Sequence, residues 1–258
     1  MKKYFSWGIP SFILICLLGI WELGVRLFNL PLWQLPAPLN IGQELVDNYS
    51  LLLTHAVVTL QEVIFGFFVA LICGIILAIC IAYSKILERS IYPIIIASQT
   101  IPVIAIAPLL LIWIGYGIIP KIIIAAITSF FPITVNTVDG LRSVDKDMVN
   151  MMRTMGASRL QIFTKLQIPN AMSYIFSGIK VGISISVIGA VIGEWVGGSA
   201  GLGYLMTYSQ PLFLTARVFA AIFILSVMGV SLFLLASLVE RVMLSWYFTE
   251  KQIRSLGR

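Results

Sequence analysis

Four ionisable side chains stand inside long apolar runs: Glu22, Glu62, Lys180 and Glu194. A charge at the centre of a bilayer costs about 2.5–3.5 kcal/mol by insertion scales, so each needs a partner or a purpose. Glu22 has Arg26 one helical turn later, which predicts an intrahelical pair near the interface. Glu62 falls early in its run, where an interfacial position is open to it. Lys180 and Glu194 share one run and lie about 21 Å apart at helical rise, too far to pair. Lys180 has two readings: a head group snorkelling to the interface, or a lining of a passage. Glu194 is followed by Trp195, Val196, Gly197 and Gly198 and then by the run Gly201 to Leu205. It too has two readings, a hydrogen bond to a neighbouring loop or a contact with substrate.

Other chemistry is excluded by the residues that would carry it. There is no G-x-x-x-x-G-K-[ST] loop to cradle phosphates, so the chain is not expected to hydrolyse ATP by itself. Neither H-E-x-x-H nor G-x-S-x-G occurs, and His55, the sole histidine, falls in a polar connection. An intramembrane hydrolase is therefore not expected. Cys16, Cys73 and Cys80 lie in apolar runs at spacings that suit neither zinc nor disulfides, and are read as packing residues. No metal or cofactor of the chain's own is expected.

The elements that would position these residues follow from composition. Apolar residues are 59% of the 258 and charged residues 11%, and the mean hydropathy is +1.00. Soluble domains average about 25% charged residues, so the solvent for this chain is lipid. Six runs reach the roughly 20 residues that a crossing helix needs: 8–28, 57–83, 91–115, 118–140, 170–196 and 216–245. The expectation is an all-α, polytopic, single-domain membrane protein with about six crossings and a cytoplasmic segment at 141–169. The basic start and apolar core at the N-terminus lack a small-x-small cleavage site, which predicts a retained first span.

Basic residues orient the chain. With the N-terminus inside, the cytoplasmic segments hold Lys2, Lys3, Lys85, Arg89, Arg142, Lys146, Arg153, Arg159, Lys165, Arg241, Lys251, Arg254 and Arg258. The outer side holds Arg26, Lys121 and Arg217. The net charge of +6 therefore reads as a positive-inside signal that puts both termini in the cytoplasm, and no nucleic-acid patch is formed. The outer connection 29–56 carries prolines and a helical fragment at Ile41–Leu45.

Small and polar residues mark two runs. Gly178 and Gly182, and again Gly189 and Gly193, are four apart in the fifth, where Ser177, Ser184 and Ser186 also fall. They permit close helix approach, as plain packing or as the wall of a passage or subunit interface. In the third run Ser98, Gln99, Thr100, Pro102 and Pro108 interrupt the apolar sequence, and the prolines permit bends. Gln99, Pro102, Lys180, Ser184 and Glu194 are the candidates for a translocation path.

The cytoplasmic segment has its own pattern. Met148, Met151, Met152 and Met155 form one helical stripe, with Asp147, Asn150, Arg153 and Thr154 on the other face. Gly156 interrupts, Ala157 and Ser158 follow, and a second helical stretch runs to Leu166 before Pro169, which is read as its stop. Two short helices with a bend suit a docking element.

This segment resembles the EAA loop of ABC-importer permeases: E-A-A, three residues, G, nine residues, I-x-L-P. Here it reads Asn150-Met151-Met152, three residues, Gly156, nine residues, then Leu166-Gln167-Ile168-Pro169. Arg153 to Ser158, Gly178-Ile179-Lys180, Glu194, Gly201 to Leu205 and Glu240-Arg241 are similar to the subgroup serving sulfonate, taurine, nitrate and thiamine-precursor systems. The triplet departs from the pattern, since Asn150 replaces an acid and methionines replace alanines. The resemblance implies the type I importer permease fold, a permease homodimer, and two cytoplasmic ATPase subunits that use ATP and magnesium. It further implies an extracytoplasmic solute-binding protein and a coupling role for Asp147 to Ser158 with Pro169. The residues 193–197, Gln210-Pro211 and 215–221 look closest to permeases for thiamine pyrimidine precursors or riboflavin-like heterocycles, with alkanesulfonate, taurine or nitrate as the alternative. A different class, an ion-coupled transporter or channel using Glu22, Lys180 and Glu194, is the other reading of the same residues.

Overall fold

The computed structural model describes residues 5–244, with side chains for Ile9 and from Phe12 onward. Lys2, Lys3, Lys251, Arg254 and Arg258, both termini and the last residue of the sixth run lie outside the described residues.

Five elements carry the apolar runs almost as the sequence sets them. They are α1 (Phe5–Leu27), α3 (Tyr49–Tyr83), α6 (Ile118–Arg142), α9 (Ile168–Gly197) and α11 (Thr215–Met243). The last four, α9 together with the short helices before it, are long and apolar enough to cross a membrane. α1, 23 residues long, reaches about 34 Å at helical rise, also enough for the hydrocarbon core. The outer fragment expected at Ile41–Leu45 is a ten-residue helix, α2 (Pro38–Asp47).

The third run departs from expectation. It is not one span but two helices, α4 (Lys85–Ser98) and α5 (Val103–Ile114), bent by 100°. The break falls at 99–102, where Pro102 takes an extended ψ of 119° ahead of α5 and keeps Ile101 out of the helical region. Beyond α5 the chain turns at Gly115 and Gly117, whose φ of +92° and +140° are open to glycine at little cost.

The centre of the bundle is a three-helix contact. Val63, Phe67 and Ala70 of α3, Ala125, Ala126 and Ile133 of α6, and Ile183, Val187 and Ala190 of α9 form one buried cluster, which Leu232 of α11 joins. Both glycine pairs of α9 face α6. A Cβ at Gly178 would stand 2.8 Å from the Pro132 carbonyl oxygen, and one at Gly189 2.8 Å from Ala125 Cα. The small residues therefore serve a close intrachain helix pair. Around this core α1, α11 and the outer face of α3 expose large apolar side chains, as lipid contact requires.

Connections assigned to one side of the bilayer do gather at one end of the bundle. Thr215 Oγ1 donates to the Trp33 carbonyl at 2.7 Å, and Arg217 pairs with Glu44 at 2.7 Å, tying α2 to α11. At the opposite end Tyr83 donates to Gln167 Oε1, Arg142 pairs with Glu88 at 3.2 Å, and Tyr92 donates to Asp139 at 3.3 Å.

Candidate functional site

Three places on this scaffold can carry function, and the first is the methionine-striped segment. Asp145 caps α7 (Lys146–Thr154), its side chain accepting from Asp147 N at 2.9 Å. None of the residues in α7 is buried, and Met148, Met151 and Met155 are exposed, Met155 to 77%. Gly156 then turns the chain at φ +81°, with its N–H on the Arg153 carbonyl and Ala157 N–H on that of Met152. Ser158 opens α8 (Arg159–Ile162) with a reciprocal capping box to Gln161. Met152, Met155, Gly156, Ala157, Gln161 and Lys165 together line a hollow of about 350 Å³. Asn150 and Arg153 stand on α7 away from that hollow.

Pro169 does not stop the second helix. The chain runs continuously from Arg159 to Gly197, and Pro169 sits in the first turn of α9. A widened turn at Phe163–Gln167, in which Ile168 N–H reaches the Phe163 carbonyl five residues back, makes room for the ring. Asn170 Nδ2 donates to the Leu166 carbonyl at 2.8 Å within that turn. The second helix of the docking segment, α8, is thus joined to the core helix without a loop, and α7 is joined to α8 by the Gly156 turn.

The second place is a cavity of about 870 Å³ inside the elbow of α4 and α5, walled by α3, α6 and α9. Gln99 and Pro102 line it, with Ser98, Thr128, Asn136, Cys73 and the aromatic rings of Phe130 and Phe131. Its remaining wall is aliphatic, and all of its lining residues are uncharged.

The third place is a buried polar network at the end of the bundle that carries α2. Glu194 and Glu62 are almost wholly buried. Thr59 donates to Glu194 Oε1 at 2.6 Å and accepts from Leu202 N at 2.8 Å, while Gly203 N–H donates to Glu194 Oε2. Lys121 pairs with Glu62 at 3.0 Å and reaches the Ala200 carbonyl at 3.4 Å. Gly201 N–H donates to His55 Nδ1 at 3.0 Å, so this histidine belongs to α3 and holds a loop rather than sitting in a connection. Glu194 thus takes the first of its two readings, a hydrogen bond to the adjoining loop. Lys121, counted in the sequence only as an outer-side cation, is the buried partner of Glu62. The network ties α3, α6 and α9 to α10 (Leu202–Ser209).

The candidate path residues do not converge. Gln99 and Pro102 meet at the elbow cavity. Lys180 pairs with Glu240 of α11 at 2.6 Å, a residue that the sequence singles out only through the Glu240-Arg241 resemblance. Ser184 donates to the Lys180 carbonyl and lines a separate groove of about 540 Å³ between α9 and α11. Glu22 pairs with Arg26 at 2.7 Å and accepts from Leu39 N at 3.1 Å. Glu22, Lys180 and Glu194 are each engaged locally in different parts of the molecule. The sequence did not single out Asn136 and Thr128. Their one available signal was their place four residues on either side of Pro132 in α6.

Comparison with known proteins agrees with this architecture. The formylaminopyrimidine transport permease ThiX of Halalkalibacterium halodurans is 37% identical over 247 residues, 95% of this chain and 98% of that protein. The riboflavin transport system permease RibX of Chloroflexus aurantiacus is 36% identical, covering 94% of this chain and 92% of RibX. Among solved structures, the inward-facing MetNI methionine ABC transporter aligns with a TM-score of 0.64 at 17% identity, over 76% of this chain and 97% of the other. The family described as the inner membrane component of binding-protein-dependent transport systems matches residues 70–245. The chain belongs to that family, as a multi-pass permease subunit of an ABC importer.

Proposed function

We propose that this permease moves a small, uncharged, planar heterocycle of the formylaminopyrimidine or riboflavin kind from an extracytoplasmic binding protein into the cytoplasm. The observation that carries the substrate class is the wall of the elbow cavity, 870 Å³ in volume and lined by uncharged residues alone. A sulfonate or nitrate anion shedding water in such a space would meet no cation, and its desolvation would go uncompensated. A neutral heterocycle loses less on leaving water and gains contact with Phe130 and Phe131. The two relatives described above carry names of the same class.

In this reading two copies of the chain pair in the membrane, and two cytoplasmic ATPases that consume ATP and magnesium grip α7. The exposed methionine face and the adjoining hollow supply an apolar surface for an irregular groove. The hydrogen-bonded Gly156 turn joins α7 to α8, and because α8, the widened turn and α9 are continuous, a displacement of α7 passes into the core α6–α9 pair as rigid-body motion. Proteoliposomes holding the permease, its ATPase and its binding protein test the proposal. Riboflavin or formylaminopyrimidine is expected to accumulate with ATP and to be indifferent to uncouplers. Accumulation of taurine or an alkanesulfonate with neither heterocycle carried would overturn the substrate assignment.

A further inference from the structure

Substrate choice in such a system is expected of the binding protein, yet the elbow cavity has the makings of a selective site. Besides the Ser98 and Thr128 hydroxyls, which donate to carbonyls of their own helices, three neutral hydrogen-bonding groups belong to its largely apolar wall. Gln99 lies at the break between α4 and α5, and its side-chain amide makes no hydrogen bond among the described residues. Asn136 spends one N–H on the Pro132 carbonyl at 2.7 Å, which leaves its Oδ1 and second N–H for another partner. Pro132 has no N–H, so the Thr128 carbonyl one turn earlier loses its helical donor and is left as an acceptor.

The three groups differ in how firmly they are held. The Asn136 stem packs against α9 where Gly178 permits close approach, a Cβ there standing only 3.0 Å from Asn136 Cβ. The Thr128 carbonyl is fixed by its own helix. Gln99 sits at the elbow, where a change in the 100° bend would carry it toward or away from the other two. Two fixed groups and one on a hinge form a set that can close on the polar edge of a flat molecule, with Phe130 and Phe131 for its faces.

We infer that the permease itself selects its cargo here: the Gln99 amide, the Asn136 amide and the Thr128 carbonyl read the donor and acceptor edge of an uncharged heterocycle. This rests on the substrate class proposed above. A neutral hydrogen bond in a partly wet cavity changes a rate or affinity by roughly 2- to 13-fold, so the effect is graded rather than absolute.

The test uses the full importer in proteoliposomes with riboflavin and formylaminopyrimidine as probes, each presented on saturated binding protein. In a Cys16→Ser, Cys80→Ser background, Cys73 on the cavity wall reports occupancy through its rate of methanethiosulfonate labelling. Gln99→Leu is expected to lower maximal uptake of the carried heterocycle about 3- to 10-fold and to weaken the substrate-induced slowing of Cys73 labelling to a similar degree. Asn136→Leu is expected to act in the same direction. Gln99 is exposed and packs against little, so its variant keeps a measurable protein should the Asn136 variant fold poorly. Wild-type uptake with Gln99→Leu unchanged and Cys73 labelling insensitive to either probe overturns the inference while leaving the substrate class intact. A wild-type importer that carries neither heterocycle overturns both.

Discussion

Lys121 stands among two carboxylates at the end of the bundle expected outside, with its own side chain 6% exposed and that of Glu62 fully buried. Removing the ammonium leaves Glu62 without its ion-pair partner beside Glu194, whose acceptors are already engaged by Thr59 and Gly203. Breaking a buried pair from one side costs about 3–5 kcal/mol, far more than the pair contributes over a matched apolar replacement. Lys121→Met is therefore expected to lower the Tm of the purified permease in detergent strongly. The double change Lys121→Met with Glu62→Gln is expected to recover much of the loss. A double variant no more stable than the single one would show that Lys121 acts through its contact with Ala200 and not through the charge of Glu62. None of this pairing was legible in the sequence. Glu62, Lys121 and Glu194 are separated by more than fifty residues at each step, and one-dimensional spacing reports only neighbours on the same helix. The local pair Glu22–Arg26 could be read for that same reason, one turn apart on α1.

Elements were more legible than partners, because helix length and apolar content are fixed by bilayer thickness and by the backbone's need to satisfy its own hydrogen bonds. The α3, α6, α9 and α11 helices follow from that alone. The two departures both concern proline, whose effect depends on what surrounds it. Pro102 lies at a 100° elbow, whereas Pro169 passes almost unmarked through a widened turn into α9. Sequence identifies each as a place where a donor is missing, but tertiary packing decides whether the helix breaks or adapts. Gly156 is the clearer case, since its φ of +81° follows from the turn between α7 and α8 and excludes proline outright. Gly156→Pro is expected to disrupt that turn, and Met152→Asp to place a charge on the docking face beside the 350 Å³ hollow. Each should cut ATP-driven uptake to below about a tenth while the amount of inserted permease stays the same, since α7 buries none of its residues within the chain. Membrane levels and uptake measured side by side separate this from misfolding. Normal uptake by both variants would remove α7 from the coupling path.

The whole molecule has a charge asymmetry that the two ends of the bundle sharpen. At the end expected outside, Arg26, Lys121 and Arg217 are each in an ion pair with a glutamate, at 2.7, 3.0 and 2.7 Å. At the other end Lys85, Arg89, Lys146, Arg153, Arg159 and Lys165 gather around α4, α7 and α8, and of these and the neighbouring Arg142 only Arg142 is paired with a carboxylate among the described residues. Clustered cations of this kind resist translocation across the membrane, so that end should remain in the cytoplasm. The orientation can be tested in intact cells with a membrane-impermeant maleimide, in a chain whose Cys16, Cys73 and Cys80 are replaced by serine. Gln210→Cys, exposed at the end of α10, is expected to label from outside. Ser158→Cys, exposed at the turn after α7, is expected to label only after the cells are opened. The two positions are fixed at opposite ends of one bundle, so their labelling must be reciprocal if the bundle spans the bilayer. The reverse pattern would place α7 outside, beyond the reach of any cytoplasmic ATPase, and the coupling assignment would fall with the orientation. Labelling of both sites from outside would instead contradict the spanning arrangement of α9, which joins them.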